Sequence, residues 1–83
     1  MIKKYELTNE KREFLGKTLF RIKALIDFRF AKKGEFGGFI ESERNLSQED
    51  DALVSGNAEV YGNALVSGDV LVSGKIKLIS KLC

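Results

Sequence analysis

Histidine is absent from the chain, and cysteine occurs once, as the last residue, Cys83. Without an imidazole there is no histidine general base and no histidine metal ligand, and a single thiol leaves a tetrahedral nitrogen and sulfur site without a ligand set. A lone terminal cysteine cannot form an internal bridge, which fits a reducing compartment and argues against a redox role. Long apolar runs are missing as well. No stretch approaches the roughly 20 apolar residues of a membrane-spanning helix, and the opening Met1-Ile2-Lys3-Lys4-Tyr5-Glu6 lacks the apolar segment of a signal peptide. A cytoplasmic protein with no membrane contact, no metal and no cofactor is expected.

Eighty-three residues make one domain, and a chain this short buries a smaller share of its surface than a typical domain. A stacked repeat or an oligomer supplies the missing core where disulfides and metals do not. The net charge of +2 hides a division along the chain. Residues 1–33 carry ten Lys or Arg against four acids, residues 34–51 one Arg against six acids, and residues 52–83 three Lys against two acids. A basic head meets an acidic neck.

The head, residues 1–39, reads as a small β unit. Tyr5 to Thr8 is a short strand, Asn9 to Arg12 a polar turn, and Phe14 to Leu19 a hairpin in which Gly16 takes a positive φ. From Phe20 to Phe30 apolar residues alternate with Arg21, Lys23, Asp27 and Arg29, the pattern of a half-buried strand, bent near Asp27. A helix over 19–26 accounts for fewer positions. Lys32 to Gly38 is a turn-rich junction whose paired glycines match neither a Walker nor a dinucleotide fingerprint.

Residues 40–83 repeat in sixes. One column holds Ile40, Leu46, Ala52, Ala58, Ala64, Val70, Ile76 and Leu82, and a second holds Val54, Val60, Val66, Val72 and Leu78. Two inward residues flanking one outward residue make a three-residue strand, and Ser-Gly-Asn or Ser-Gly-Asp then turns a corner. Asn45, Asp51, Asn57, Asn63 and Asp69 hold one corner position. A hexad cannot bury its inward face alone, so neighbouring coils must stack on it. The predicted fold is all-β: a β-hairpin or small sheet followed by two to three coils of parallel β-helix.

These hexads resemble the hexapeptide repeat of left-handed parallel β-helices, which implies a triangular coil of three hexads. The chain also resembles small phage and prophage proteins with a short β head, a Lys-Lys-Gly-x-x-Gly-Gly-Phe-Ile-Glu junction (Lys32 to Glu41), an Asn-Leu-Ser-Gln neck (Asn45 to Gln48) and Ala-x-Val-Ser-Gly-Asn repeats from Ala52. The best-known hexapeptide-repeat enzymes are acyltransferases with a histidine base and carbonic anhydrases with histidine-bound zinc; a chain without histidine fits neither. The carboxylates Glu41, Glu43, Glu49, Asp50 and Asp51 read as a solvated corner, since three consecutive acids do not reproduce the alternating spacing of an EF-hand loop.

A coil of 18 residues places Leu53 beside Leu71, Glu59 beside Lys77, and Leu65 beside Cys83 on outward faces. Such leucines either lie under the folded-back head or meet another chain. The last coil, with Ile76, Leu78 and Leu82, is expected to be uncovered. The expected function is a non-enzymatic protein-binding module, acting as a homodimer through Leu53, Leu65, Leu71, Ile76, Leu78 and Leu82. The phage resemblance implies an inhibitor of a host defence nuclease of the anti-CRISPR kind. A virion assembly role is the first alternative. A nucleic-acid or nucleotide binder is the second, using Arg21, Lys23, Arg29, Lys32 and Lys33 interleaved with aromatic rings.

Overall fold

The computed structural model describes residues 3–14 and 16–74, together with the backbone of residues 77–78. The chain is all-β, with seven strands among the described residues: β1 (Tyr5–Phe14), β2 (Lys17–Ala24), β3 (Phe36–Ile40), β4 (Leu53–Val54), β5 (Glu59–Val60), β6 (Leu71–Val72) and β7 (Lys77–Leu78). A single 3-10 turn covers Glu43–Asn45. None of the described helical segments is long and apolar enough to cross a membrane.

Strands β1-β2-β3-β5-β7 form one sheet and β4-β6 a second. The pairings β1/β2 and β2/β3 are antiparallel, whereas β3/β5, β5/β7 and β4/β6 are parallel. The change of direction occurs on β3, which therefore belongs to head and repeat alike. An isolated parallel bridge joins Leu46 to Val66, with Val66 N–H donating to Asn45 O at 2.9 Å and Ser47 N–H to Val66 O at 3.0 Å.

The parallel partners are 18 residues apart in the later pairs, Leu53 with Leu71 and Glu59 with Lys77. They are 20 apart in the first, Phe39 with Glu59, Ile40 with Val60 and Leu46 with Val66. Ile40 and Leu46 thus stack on the valine column rather than on the alanines, two residues out of the expected register. Asn45 accordingly leaves the corner position shared by Asn57 and Asn63 and is buried. Its side chain accepts the Ser42 N–H at 3.0 Å and donates to Ala64 O at 2.7 Å. The two additional residues lie between Leu46 and Leu53, where the chain has Ser47 to Ala52 against Ser67 to Val70 in the next turn.

Both inward columns are buried where described: Ile40, Leu46, Ala52, Ala58 and Ala64 in one, Val54, Val60, Val66 and Val72 in the other, with Val70 half-buried. Each fully buried valine or leucine contributes roughly 1.5–3 kcal/mol. At the corners the glycines take the left-handed conformation, with φ of 63°, 65°, 83° and 83° at Gly56, Gly62, Gly68 and Gly74. The columns' members Ile76 and Leu82, and the Leu78 side chain, lie outside the described residues.

The head departs from its sequence pattern in three places. Residues 9–12 are not a turn: β1 runs through them with a bulge between Leu7 and Lys11, where Thr8 Oγ1 donates to Arg21 O at 2.8 Å and accepts the Glu10 N–H at 3.3 Å. The strand predicted over Phe20 to Phe30 stops at Ala24. Beyond it, Asp27 Oδ1 accepts the Lys33 N–H at 2.7 Å and Phe28 pairs with Ala31 across a tight turn, so the alternation continues without a strand partner. Finally, Gly37 and Gly38 are strand residues rather than turn residues.

Their lack of a side chain is a packing requirement. A Cβ on Gly38 would stand 2.7 Å from Ala58 O and from Val54 Cγ1, and one on Gly37 would stand 2.6 Å from Val54 O. Gly38 occupies, one coil earlier, the small-residue place that Ala58 fills. We expect Gly38→Ala to lower stability by about 1–3 kcal/mol, a fall in melting temperature of roughly 4–8 °C per kcal/mol. Thermal denaturation followed by circular dichroism measures it, and an unchanged midpoint contradicts the close packing.

Candidate interaction surface

The start of β1 is locked into the long corner. Lys4 is buried, and its ammonium donates to Asp50 O at 2.7 Å and to Ala52 O at 2.6 Å, with the Asp50 carboxylate 3.9 Å away. The Phe28 ring covers the same ammonium, its centroid 4.8 Å off. Gln48 Oε1 accepts the Lys4 and Tyr5 N–H groups at 2.7 and 3.2 Å, and its Nε2 donates to Tyr5 O at 3.2 Å. A side-chain amide thus stands where a neighbouring strand would pair with the edge. The buried Tyr5 hydroxyl donates to Leu46 O and lies 3.3 Å from Glu43 O.

Burial lowers the Lys4 pKa, with Asp50 and Asp51 opposing the shift. Burial also pushes the Tyr5 phenol upward, with Glu43 reinforcing it. For Asp50, burial alone would raise the pKa. The N–H groups of Gly68 and Ala52, the Ser47 hydroxyl and the Lys4 charge outweigh it and hold the carboxyl below its ordinary value. The Gly68 N–H donates to Asp50 Oδ2 at 2.6 Å and the Ala52 N–H to Oδ1 at 3.2 Å. Asp50 therefore ties the long corner to the corner one coil later.

Charge in the head is largely engaged within the molecule. Lys3 pairs with Glu43 at 2.7 Å, Arg12 with Glu59 at 2.9 Å, Lys17 with Glu41 at 3.7 Å, Arg21 with Glu10 at 3.0 Å and Arg29 with Asp69 at 3.4 Å. Glu59 is buried, although its position faces Lys77 in the strand register. Arg12 and Arg21 lie over the buried Phe39 ring, 4.1 and 4.7 Å from its centroid. Leu19, Phe39 and Tyr61, flanked by Phe14, form a second small apolar cluster there.

Of the basic contact residues expected from the sequence, Arg21 and Lys23 are half-buried on the sheet, and Arg29, Lys32 and Lys33 share one exposed loop. That loop borders an open depression of ≈ 220 Å³ lined by Phe28, Arg29, Phe30, Ala31, Lys32 and Glu35. Its rings also carry cations: Arg29 lies 5.3 Å from the Phe30 centroid, and Lys4 4.8 Å from that of Phe28. Rings so covered offer poorer stacking platforms for successive bases than bare ones.

The outward leucines divide. Leu53, expected on the exterior, is only 6% exposed and belongs to the main core, against which Phe28 and Phe30 pack. Its ladder partner Leu71 is 45% exposed. The first rung of this face is buried and the second is open. Leu65 is half-buried; Cys83, its expected neighbour, lies outside the described residues.

Two further exposed apolar side chains, Phe36 at 58% and Ile26 at 37%, were not singled out from the sequence. Alternation with Gly38 and Ile40 would turn Phe36 inward. The pairing instead slips by one residue between Arg21 and Lys23, and such a slip reverses the faces beyond it. Nor were Lys4, Tyr5 and Gln48 recognisable as a clamp, because the hydrogen bonds that join Lys4 and Tyr5 to residues 43–52 span 38 to 48 residues. Compared with known protein families and with curated proteins, the chain matches no family model and no curated sequence.

Two outcomes follow from the clamp. Lys4→Met keeps the stem but removes the donor from Asp50 O and Ala52 O, and should cost about 1–3 kcal/mol in urea denaturation; a neutral result would mean that water replaces the ammonium. A carboxyl held low in the folded state stabilises above its unfolded pKa of 3.8, and this contribution disappears as pH falls through the folded value. Asp50→Asn should therefore flatten the loss of stability below that pH, as read from melting temperatures along an acid series; parallel wild-type and variant curves would contradict it.

Proposed function

We propose that the chain is a short parallel β-solenoid of hexapeptide-type repeats, without catalytic activity, whose Leu71 face binds another protein. The observation that carries the reading is the contrast within one ladder. Leu53 and Leu71 are paired side by side, yet one is buried and the other stands open. An apolar ridge of which one rung is left open is a surface that a second polypeptide completes. The frame beneath it is rigid, since its rungs hydrogen-bond in register and its head is fastened at the long corner, so docking costs little ordering.

The partner is a second copy of the chain or a host protein. In the phage setting suggested by the junction and repeat motifs, such a platform acts by obstruction, as an inhibitor of a host defence nuclease of the anti-CRISPR kind. A nucleic-acid role has less support, because most head cations already face carboxylates of the same chain.

Light scattering at micromolar concentration separates these partners. The wild type should scatter as twice 9.3 kDa, and Leu71→Glu as a single chain with an unchanged melting temperature. A wild-type mass of one chain removes the homodimer; retention of the same bacterial protein on immobilised wild type and on immobilised Leu71→Glu would remove the Leu71 face altogether. Leu53→Glu is no substitute, because a charge there would be buried in the core.

A further inference from the structure

We infer that the outer edge of β1 is a self-association surface, where β1 of a second copy pairs antiparallel about a twofold axis at Arg12. The inference goes beyond the Leu71 reading and does not rest on it, since β1 and Leu71 belong to different sheets.

Among the described residues β2 is the only strand neighbour of β1, so this edge of the five-stranded sheet is open. The hairpin register says which backbone groups face it. Phe14 and Lys17 flank the two-residue turn, so that pair closes the hairpin and exchanges both N–H···O bonds. Bonding then alternates along the ladder. Arg12 is bonded to Leu19, whereas Glu13 opposite Thr18 and Lys11 opposite Phe20 turn their N–H and C=O groups outward. Tyr5 faces outward in the same way, with its N–H and C=O taken by the Gln48 amide, and Leu7, two residues on, follows it. Among the described residues no such group stands beside Lys11 and Glu13.

Charge selects the register. Lys11 and Glu13 are exposed, and among the described residues neither has an ion-pair partner in its own chain. For backbone bonds to form across the edge, outward residues must meet outward residues. A pairing centred on Lys11 or on Glu13 sets a like charge directly opposite itself, which destabilises a sheet. One centred on Glu10 carries Gly16 of the second copy to Lys4, where Gln48 already sits. Centred on Arg12, the pairing brings Lys11 against Glu13 of the second copy and Glu13 against its Lys11, with Cβ atoms roughly 4.5–5.5 Å apart. The two Arg12 side chains share the opposite face, but each is drawn onto its own Glu59 at 2.9 Å and over its own Phe39 ring. The bulge between Leu7 and Lys11 lies outside the paired stretch and confines the contact to the end of the hairpin. Each copy gives and receives the same bonds, as an isologous contact requires. Being short, the contact is weak, and it fills at concentrations above the micromolar range in which Leu71 is tested.

The test is light scattering and amide hydrogen exchange on the full chain carrying Leu71→Glu, so that the Leu71 face contributes nothing, from micromolar to millimolar concentration. The mass should rise from one chain towards two. As it does, the amide protons of Lys11 and Glu13 should gain protection, while that of Leu7, equally outward but beyond the contact, should not. Added to this background, Lys11→Glu and Glu13→Lys should each weaken the association by about tenfold or more, the equivalent of 1.4 kcal/mol. An equimolar mixture of the two variants should recover it, because the mixed pair again sets opposite charges against one another; recovery also shows that both variants are folded. The inference is overturned if the mass stays at one chain throughout, or if protection falls on Leu7 as much as on Lys11 and Glu13. It is equally overturned if either variant associates as its parent does, or if the mixture stays as weak as its components.

Discussion

The corner between Leu46 and Leu53 is two residues longer than its counterpart between Val66 and Leu71, and the attachment of the head depends on that difference. Corners of equal length lie over one another, as those at Gly56 and Gly74 do. The longer corner instead turns the carbonyls of Asp50 and Ala52 towards the Lys4 ammonium and brings Gln48 against the start of β1. A buried ammonium needs its charge compensated, and here two carbonyls accept its protons while the Asp50 carboxylate stands 3.9 Å away and the Phe28 ring lies over it. The same Asp50 reaches Gly68 one coil away. One acid thereby fastens the head to the corner and the corner to the repeat.

Strand β3 answers a second constraint. It hydrogen-bonds β2 on one edge and β5 on the other, and it must also lie close to the Val54 to Ala58 segment. Only residues without side chains allow the approach measured at Gly37 and Gly38. The reward is a single sheet in which an antiparallel hairpin passes into parallel rungs without a break. The two faces of that sheet then serve different ends, one closing the main core and the other burying Phe39, Leu19 and Tyr61 with the Arg12 to Glu59 pair.

What the sequence made legible was periodic, and what it hid was long-range or irregular. The inward columns, the positive φ at Gly16 and the hairpin around it follow from local pattern, and the 18-residue spacing of Leu53 to Leu71 and Glu59 to Lys77 is the one that the resemblance implies. A repeat with two extra residues in one corner keeps its apolar beat, because Ile40 and Leu46 suit either column. The shift of register to 20 therefore left no mark in composition. The bulges did similar damage. At Thr8 to Glu10 polar residues read as a turn although the strand continues, and at Gly37 a slip of one residue reversed Phe36 to the exterior. The leucine face was half legible: the three-hexad coil that the resemblance implies placed Leu53 and Leu71 together, but which of them is buried depends on tertiary packing.

The division of charge along the chain bears on partners in a similar way. A basic head beside an acidic neck reads, residue by residue, as a cationic surface awaiting an anionic one. Folding brings these two segments together, and Lys3, Lys4 and Lys17 meet neck acids while Arg12 and Arg29 meet acids of the repeat. The exposed pairs of Lys3, Lys17 and Arg29 stabilise by only a few tenths to about 1 kcal/mol each, so their effect on stability is modest. Their effect on recognition is larger, since every paired cation is withdrawn from the field that an outside anion would feel. Among the described residues of the head, the cations left outside such pairs are Lys11, Lys23, Lys32 and Lys33, and Asp27 and Glu35 lie against the backbone of the last two.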